Sequence, residues 1–189
     1  LCSGILIAPQ WVVSSGHCFI SANRHQQAAL SVRFAGKPGT FWQPDRVLLP
    51  QELATGLTAD GDSFIISPDG SRHDIALLHL ATAVQGVTPI PLWTGDQQSL
   101  ATALNQQGNL VSQGGYPQDS LDTLLVHSRC QIRKLSEQGI LEHRCDTLPG
   151  DSGSPLLLPT PQGWRVVGIQ SSAPEPSDRW QADNLAIAI

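Results

Sequence analysis

Short apolar stretches recur between turn residues along the chain. Ile5-Leu6-Ile7-Ala8 runs into Pro9-Gln10, and Trp11-Val12-Val13 follows, which predicts a hairpin. Residues 31–34, 46–49 and 75–80 are further strand candidates, as are 109–112, 124–127 and 131–134. A second hairpin is predicted from residues 155–158, the turn Thr160-Pro161-Gln162-Gly163 and residues 164–169. No stretch longer than ten residues keeps a 3.6-residue period, so helix content is expected to be low. Residues 51–73 are polar and rich in Gly and Asp, and predict mostly a long surface loop. Residues 92–107, rich in Gln and Thr, read as a connector between two halves. There is no internal repeat and no low-complexity tract. Many short strands at this spacing predict an all-β barrel or sandwich.

Composition narrows the picture. The 189 residues suffice for one ordinary domain or two small lobes with a real core. Charged residues make up 14%, against a norm of about 25%. Apolar residues at 40% exclude both a solvated disordered segment and a membrane bundle. A net charge of -5 argues against a nucleic-acid or anionic-membrane surface. No apolar run reaches the roughly 18 residues of a spanning helix, so no membrane insertion is expected. Gly 17 and Pro 14 together favour turns over long helices. Four cysteines suit two structural bridges. The chain opens Leu1-Cys2-Ser3-Gly4 and closes on the apolar run 185–189, so both ends read as cut from within a folded unit.

Three segments carry candidate chemistry. In residues 2–18, two cysteines bracket the first hairpin and the second follows His17. In His73-Asp74-Ile75-Ala76-Leu77-Leu78, a carboxylate sits at the mouth of an apolar strand, where burial demands a partner such as a His N–H. In Gly150-Asp151-Ser152-Gly153-Ser154-Pro155, a serine lies between glycines ahead of a strand. Glycines there let a substrate carbonyl approach and let backbone N–H groups point at one spot. A serine hydroxyl needs a base to take its proton and a third group to hold that base. His17, Asp74 and Ser152 supply those three types. Asp60, Asp62 and Asp122 compete with Asp74 for its role.

With these pieces in the order His, Asp, Ser, the sequence resembles a trypsin/chymotrypsin-fold serine peptidase over nearly its whole length. The matching motifs are Ser14-Ser15-Gly16-His17-Cys18, Asp74-Ile75-Ala76-Leu77-Leu78 and Gly150-Asp151-Ser152-Gly153-Ser154-Pro155. Gly115-Tyr116-Pro117 and Asp146-Thr147-Leu148-Pro149-Gly150, with Ser154, are similar to the bacterial glutamyl-endopeptidase branch. The resemblance implies two antiparallel six-stranded Greek-key β-barrels with the cleft between them. Residues 1–95 would form the first half, carrying His17 and Asp74, and 96–189 the second, carrying Ser152. It implies an acyl-enzyme on Ser152 and an oxyanion hole from the N–H groups of Gly150 and Ser152. Ser171 would support the buried Asp. Four cysteines allow three pairings, and the resemblance selects Cys2 with Cys18 and Cys130 with Cys145. The family's first strand and terminal helix would fall outside residues 1–189, as would any new N-terminus to pair with Asp151.

The implied substrate pocket comprises Asp146, Thr147, Gln170, Ser171 and Ala173. Asp146 at its floor favours Arg or Lys. Thr147 fits the glutamyl branch, but Gln170 stands where that branch has His, and Ala173 replaces a glycine common in trypsins. Basic specificity leads, ahead of acidic specificity and of small, apolar or very narrow specificity. His25, His73, His79, His127 and His143 show no metal spacing and read as surface or packing residues, so no metal or cofactor is expected. The expected partner is a protein or peptide substrate, and the expected state a monomer. Two bridges imply an oxidising compartment, by secretion or in the periplasm. An α/β-hydrolase fails because His17 comes first and no helix follows the serine. The remaining rival is a catalytically silent protease-fold binding domain. Three intact site residues argue against it.

Overall fold

Alternating burial decides which face of each strand points inward. A computed structural model describes residues 1–20, 31–61 and 63–189. Strand β1 (Ile5–Ala8) turns at Pro9-Gln10 into β2 (Trp11–Ser14), and the predicted hairpin forms with Ile5 opposite Val13. A 3-10 turn (Gly16–Phe19) follows and carries His17. β3 (Pro44–Leu48) and β6 (Ala76–Leu80) complete a four-stranded sheet in the order β1-β2-β6-β3. β6 buries Ala76, Leu78 and Leu80 on one face, a clean two-residue period.

Residues 51–73 are more ordered than their polarity suggests. They hold helix α1 (Gln51–Thr55), the hairpin β4 (Leu57–Asp60) and β5 (Ser63–Ile66), and helix α2 (Pro68–Ser71). Leu53 and Leu57 supply the missing apolar anchor and pack with Ile20. The Ser67 hydroxyl accepts from Gly70 N–H at 3.0 Å and caps α2. Conversely, the strand expected at 31–34 contributes only an isolated bridge between Val32 and Trp42. Gly36 and Gly39, both at positive φ, turn the chain away between them.

The second half closes a six-stranded barrel. Its strands are β7 (Leu110–Gly115), β8 (Leu125–Leu135), β9 (Ile140–His143), β10 (Pro155–Thr160), β11 (Gly163–Ser172) and β12 (Asn184–Ala188). Around the barrel they run β10-β11-β12-β9-β8-β7, and β7 pairs back onto β10. The two runs expected at 124–127 and 131–134 fuse into β8, with Arg129 at positive φ where the register shifts. The connector 92–107 contains helix α3 (Gln97–Gln106), capped by Asp96 and docked through Leu100 and Leu104. Those two residues are the i,i+4 signal that a ten-residue segment is too short to make obvious.

The protein is thus mostly β with short helices. One half is a closed barrel. Among the described residues the other is a four-stranded sheet and a two-stranded ribbon, where the sequence implied a second six-stranded barrel. Between Val32 and Trp42 the segment turns at Gly36 and Gly39, with Pro38 between them. Val13 of β2 packs with Val166 and Ile169 of β11, so the halves share an apolar seam.

Candidate active site

The seam ends where β2, β6 and β11 deliver their polar residues. Asp74, just before β6, is fully buried. Its Oδ1 accepts the His17 backbone N–H at 2.7 Å. Its Oδ2 lies 2.7 Å from His17 Nδ1 and accepts the Ser171 hydroxyl at 2.5 Å. Burial pushes the Asp74 carboxyl up, but the His17 hydrogen bond and charge, with Ser171, outweigh it and hold it below the usual range. A carboxylate only accepts, so His17 Nδ1 is the donor, and Nε2 is the ring nitrogen turned away from Asp74. Asp122 instead pairs with Arg33. Asp62 and His25 lie outside the described residues.

Ser152 is tied through its backbone to Ser3, the neighbour of the cysteine bonded to Cys18. Gly150 and Gly153 flank it at φ +99 and +86. A Cβ on Gly153 would collide with the Ser3 carbonyl and the Ser14 hydroxyl, and one on Gly150 with the Tyr116 carbonyl. Gly153 therefore packs against Ser14 and Ser15, just ahead of His17. A trans peptide points its C=O and N–H to opposite sides, so the four peptides of this loop can be accounted for one by one. Pro149 C=O accepts from Gln118 N–H at 2.6 Å. Gly150 C=O accepts from the Ser3 hydroxyl at 2.8 Å, while Asp151 N–H goes to Leu148 C=O. Asp151 C=O accepts from Ser154 N–H. Ser152 C=O accepts from Ser3 N–H at 2.8 Å, and Gly153 N–H goes to Gln170 C=O. Among the described residues, only Gly150 N–H and Ser152 N–H of this loop have no protein acceptor.

The predicted pocket residues separate into two groups. Asp146 is exposed, and its backbone N–H donates to His127 Nδ1 at 2.6 Å. Ala173 is also exposed. Thr147 is buried, and its hydroxyl donates to Gln113 Oε1 at 3.0 Å. Gln113 in turn donates to the Ser154 hydroxyl. Gln170 is buried too. His143 Nε2 lies 2.6 Å from its Oε1, and its amide donates to Ser172 C=O. Cys145 N–H donates to His143 Nδ1, so Nε2–H of a neutral ring donates to Gln170. Burial lowers the His143 pKa to about 4. Asp151 is buried and accepts Leu148 N–H, and burial raises its pKa.

Bridges join Cys2 to Cys18 and Cys130 to Cys145. The first ties Ser3 to the His17 turn, and the second sits beside Asp146. No group of three or more metal-ligating side chains occurs among the described residues. His143, Gln113, Gln118 and Ser3 carry parts of the site that the linear sequence does not announce. Ser3, next to a cysteine of the His17 segment, had the strongest local signal.

This fold, with a buried Asp–His pair and a glycine-flanked serine, defines the chymotrypsin-like serine peptidases. Residues 2–169 match the Trypsin-like peptidase domain family, and the chain belongs to it. It is 30% identical over 196 residues to chymotrypsin-like elastase family member 3B of Macaca mulatta, covering 90% of this chain and 70% of that protein. The human protein of that name is 29% identical, with 67% of it covered. Human transmembrane protease serine 5 is 26% identical over 192 residues, and the chain spans 40% of its length. These similarities place the chain among the serine endopeptidases.

Proposed function

We propose that this domain hydrolyses peptide bonds through an acyl-enzyme on Ser152. The observation that carries the reading is the buried Asp74 carboxylate, wholly engaged by His17 and Ser171, which orients the ring through Nδ1 and leaves Nε2 as its other nitrogen for proton transfer. His17 takes the Ser152 proton as Oγ bonds to the substrate carbonyl carbon. It then gives that proton to the leaving amine as the C–N bond breaks. Water attacks the ester by the same route, releasing acid and Ser152. The two free N–H groups, Gly150 and Ser152, support their assignment to the carbonyl oxygen. The four-stranded sheet with its ribbon would correspond to the family's first barrel, residues 1–95, with 96–189 the second.

For specificity we favour a basic residue before the cut. Asp146 offers an exposed carboxylate, whereas Thr147 and Gln170 spend their polar groups inward, which disfavours the glutamyl branch. The bridges fit an oxidising, extracellular or periplasmic setting. Among the described residues no helix is long and apolar enough to cross a membrane.

A fluorophosphonate probe tests the reaction. The reading expects labelling that Ser152→Ala abolishes. A folded wild-type domain that neither labels nor cleaves a peptide library would establish the silent binding domain instead. Cleavage after acidic, small or apolar residues would refute the role of Asp146.

A further inference from the structure

The loop accounting singles out one residue outside the triad. We propose that Ser3 is a positioning residue that holds the oxyanion loop in its working shape. This rests on the reading of the Gly150 and Ser152 N–H groups as oxyanion donors.

Ser3 is only 5% exposed, and every polar group it has is engaged around this loop. Its N–H donates to Ser152 C=O at 2.8 Å. Its hydroxyl donates to Gly150 C=O at 2.8 Å and accepts Tyr116 N–H at 2.9 Å. Its C=O accepts the Ser14 hydroxyl at 2.7 Å. One residue therefore holds two of the four loop peptides, one by its backbone and one by its side chain. It also ties them to the end of β7 at Tyr116 and to β2 at Ser14.

The anchoring is itself rigid. Cys2, the preceding residue, is bonded to Cys18, the residue after His17. A shift of the loop relative to the base would have to break the Ser3 contacts. Gly150, at φ +99, has the backbone freedom to rotate if its carbonyl is released. Rotation of the peptides beside it would swing a donor out of line, and such donors act only when pre-aimed at the developing charge. Losing the Ser3 hydroxyl also takes the protein partner from the part-buried Gly150 C=O and Tyr116 N–H, so the loop would relax to find others.

This predicts a defect in the chemical step and not in substrate binding. The test compares wild type, Ser3→Ala and Ser3→Thr on the peptide that wild type cleaves best. It measures kcat, KM, inhibition by the matching peptide boronate, which forms a tetrahedral adduct on Ser152, and inhibition by the uncleaved product peptide. For Ser3→Ala we expect kcat to fall about tenfold, with KM within about twofold. Boronate affinity should fall in parallel while product affinity holds, and Ser3→Thr, which keeps the hydroxyl, should recover most of the loss. A folded Ser3→Ala with wild-type kcat and boronate affinity overturns the role. So does an equal loss of boronate and product affinity. Should Ser3→Ala fail to fold, Ser14→Ala frees the Ser3 carbonyl instead. A selective fall in kcat and boronate affinity there supports the role, and unchanged values overturn it. A wild-type domain without activity overturns the peptidase reading itself, which the wild-type arm reveals before any variant is compared.

Discussion

Asp74 illustrates how a single side chain carries cost and purpose together. Burying a carboxylate is expensive unless its oxygens are hydrogen-bonded. Here His17 N–H, His17 Nδ1 and the Ser171 hydroxyl satisfy both oxygens. Asp74→Asn keeps the shape but can offer an N–H to His17, which favours the wrong tautomer. We expect kcat to drop about 10⁴-fold, measurable on the best library peptide. Ser171→Ala removes one of three donors and should cost far less, which a parallel assay would show. Because the folded carboxyl titrates below its ordinary value of 3.8, its contribution to stability is present above that pH. It is lost as pH falls through the lower folded value.

At the scale of elements, β9 and β11 are joined by a buried polar link between His143 and Gln170. Burial disfavours the charged ring, the Gln170 hydrogen bond and Asp183 oppose this, and His127 adds to it. His143 titrates near 4 when folded and at 6.5 when unfolded. The unfolded chain therefore binds its proton first, and stability falls as pH drops from about 6.5 to 4. The full loss from this group is about 3 kcal/mol. Urea denaturation at pH 7 and pH 5 should show the decline, and His143→Gln should flatten it. Asp151 works in the opposite sense. Its folded pKa is raised, so protonation on acidification relieves part of its burial cost.

Across the whole molecule, the two halves depend on shared apolar packing and on local ties. Val166 on β11 is fully buried against Val13 and Ile169. Val166→Ala should lower stability by about 1–3 kcal/mol, with thermal melting as the readout. Each bridge spans 15 or 16 residues. Replacing either pair by Ala should cost about 3 kcal/mol in the chain-entropy account. Losing Cys2–Cys18 should also reduce kcat, because it loosens Ser3 and His17 together. An activity assay on folded material separates that effect from unfolding.

What could be read from the sequence tracks what is local. Hairpins β1–β2 and β10–β11 are legible because short apolar runs end at Pro-Gln and at Pro-Gln-Gly turns. His17, Asp74 and Ser152 stood out because each sits in a short motif. Helix α3 and the β4–β5 ribbon were not legible. Their stability comes from single apolar anchors such as Leu53, Leu57, Leu100 and Leu104 finding partners far away in the chain. The 31–34 strand is the converse case, since among the described residues its apolar alternation finds a cross-strand backbone partner only at the Val32–Trp42 bridge.

The sequence by itself therefore determined the strand-rich class, the three chemical groups and their order, because these depend on residue type and near spacing. Only the tertiary structure decided which of the proposed pocket residues face outward, that His143 braces Gln170, and that Ser3 meets residues 150 and 152. Those facts are hydrogen bonds between segments up to 149 positions apart. Nothing in a local pattern fixes the direction of such a bond. It follows from how the two halves pack, and that packing is set by the shared apolar seam.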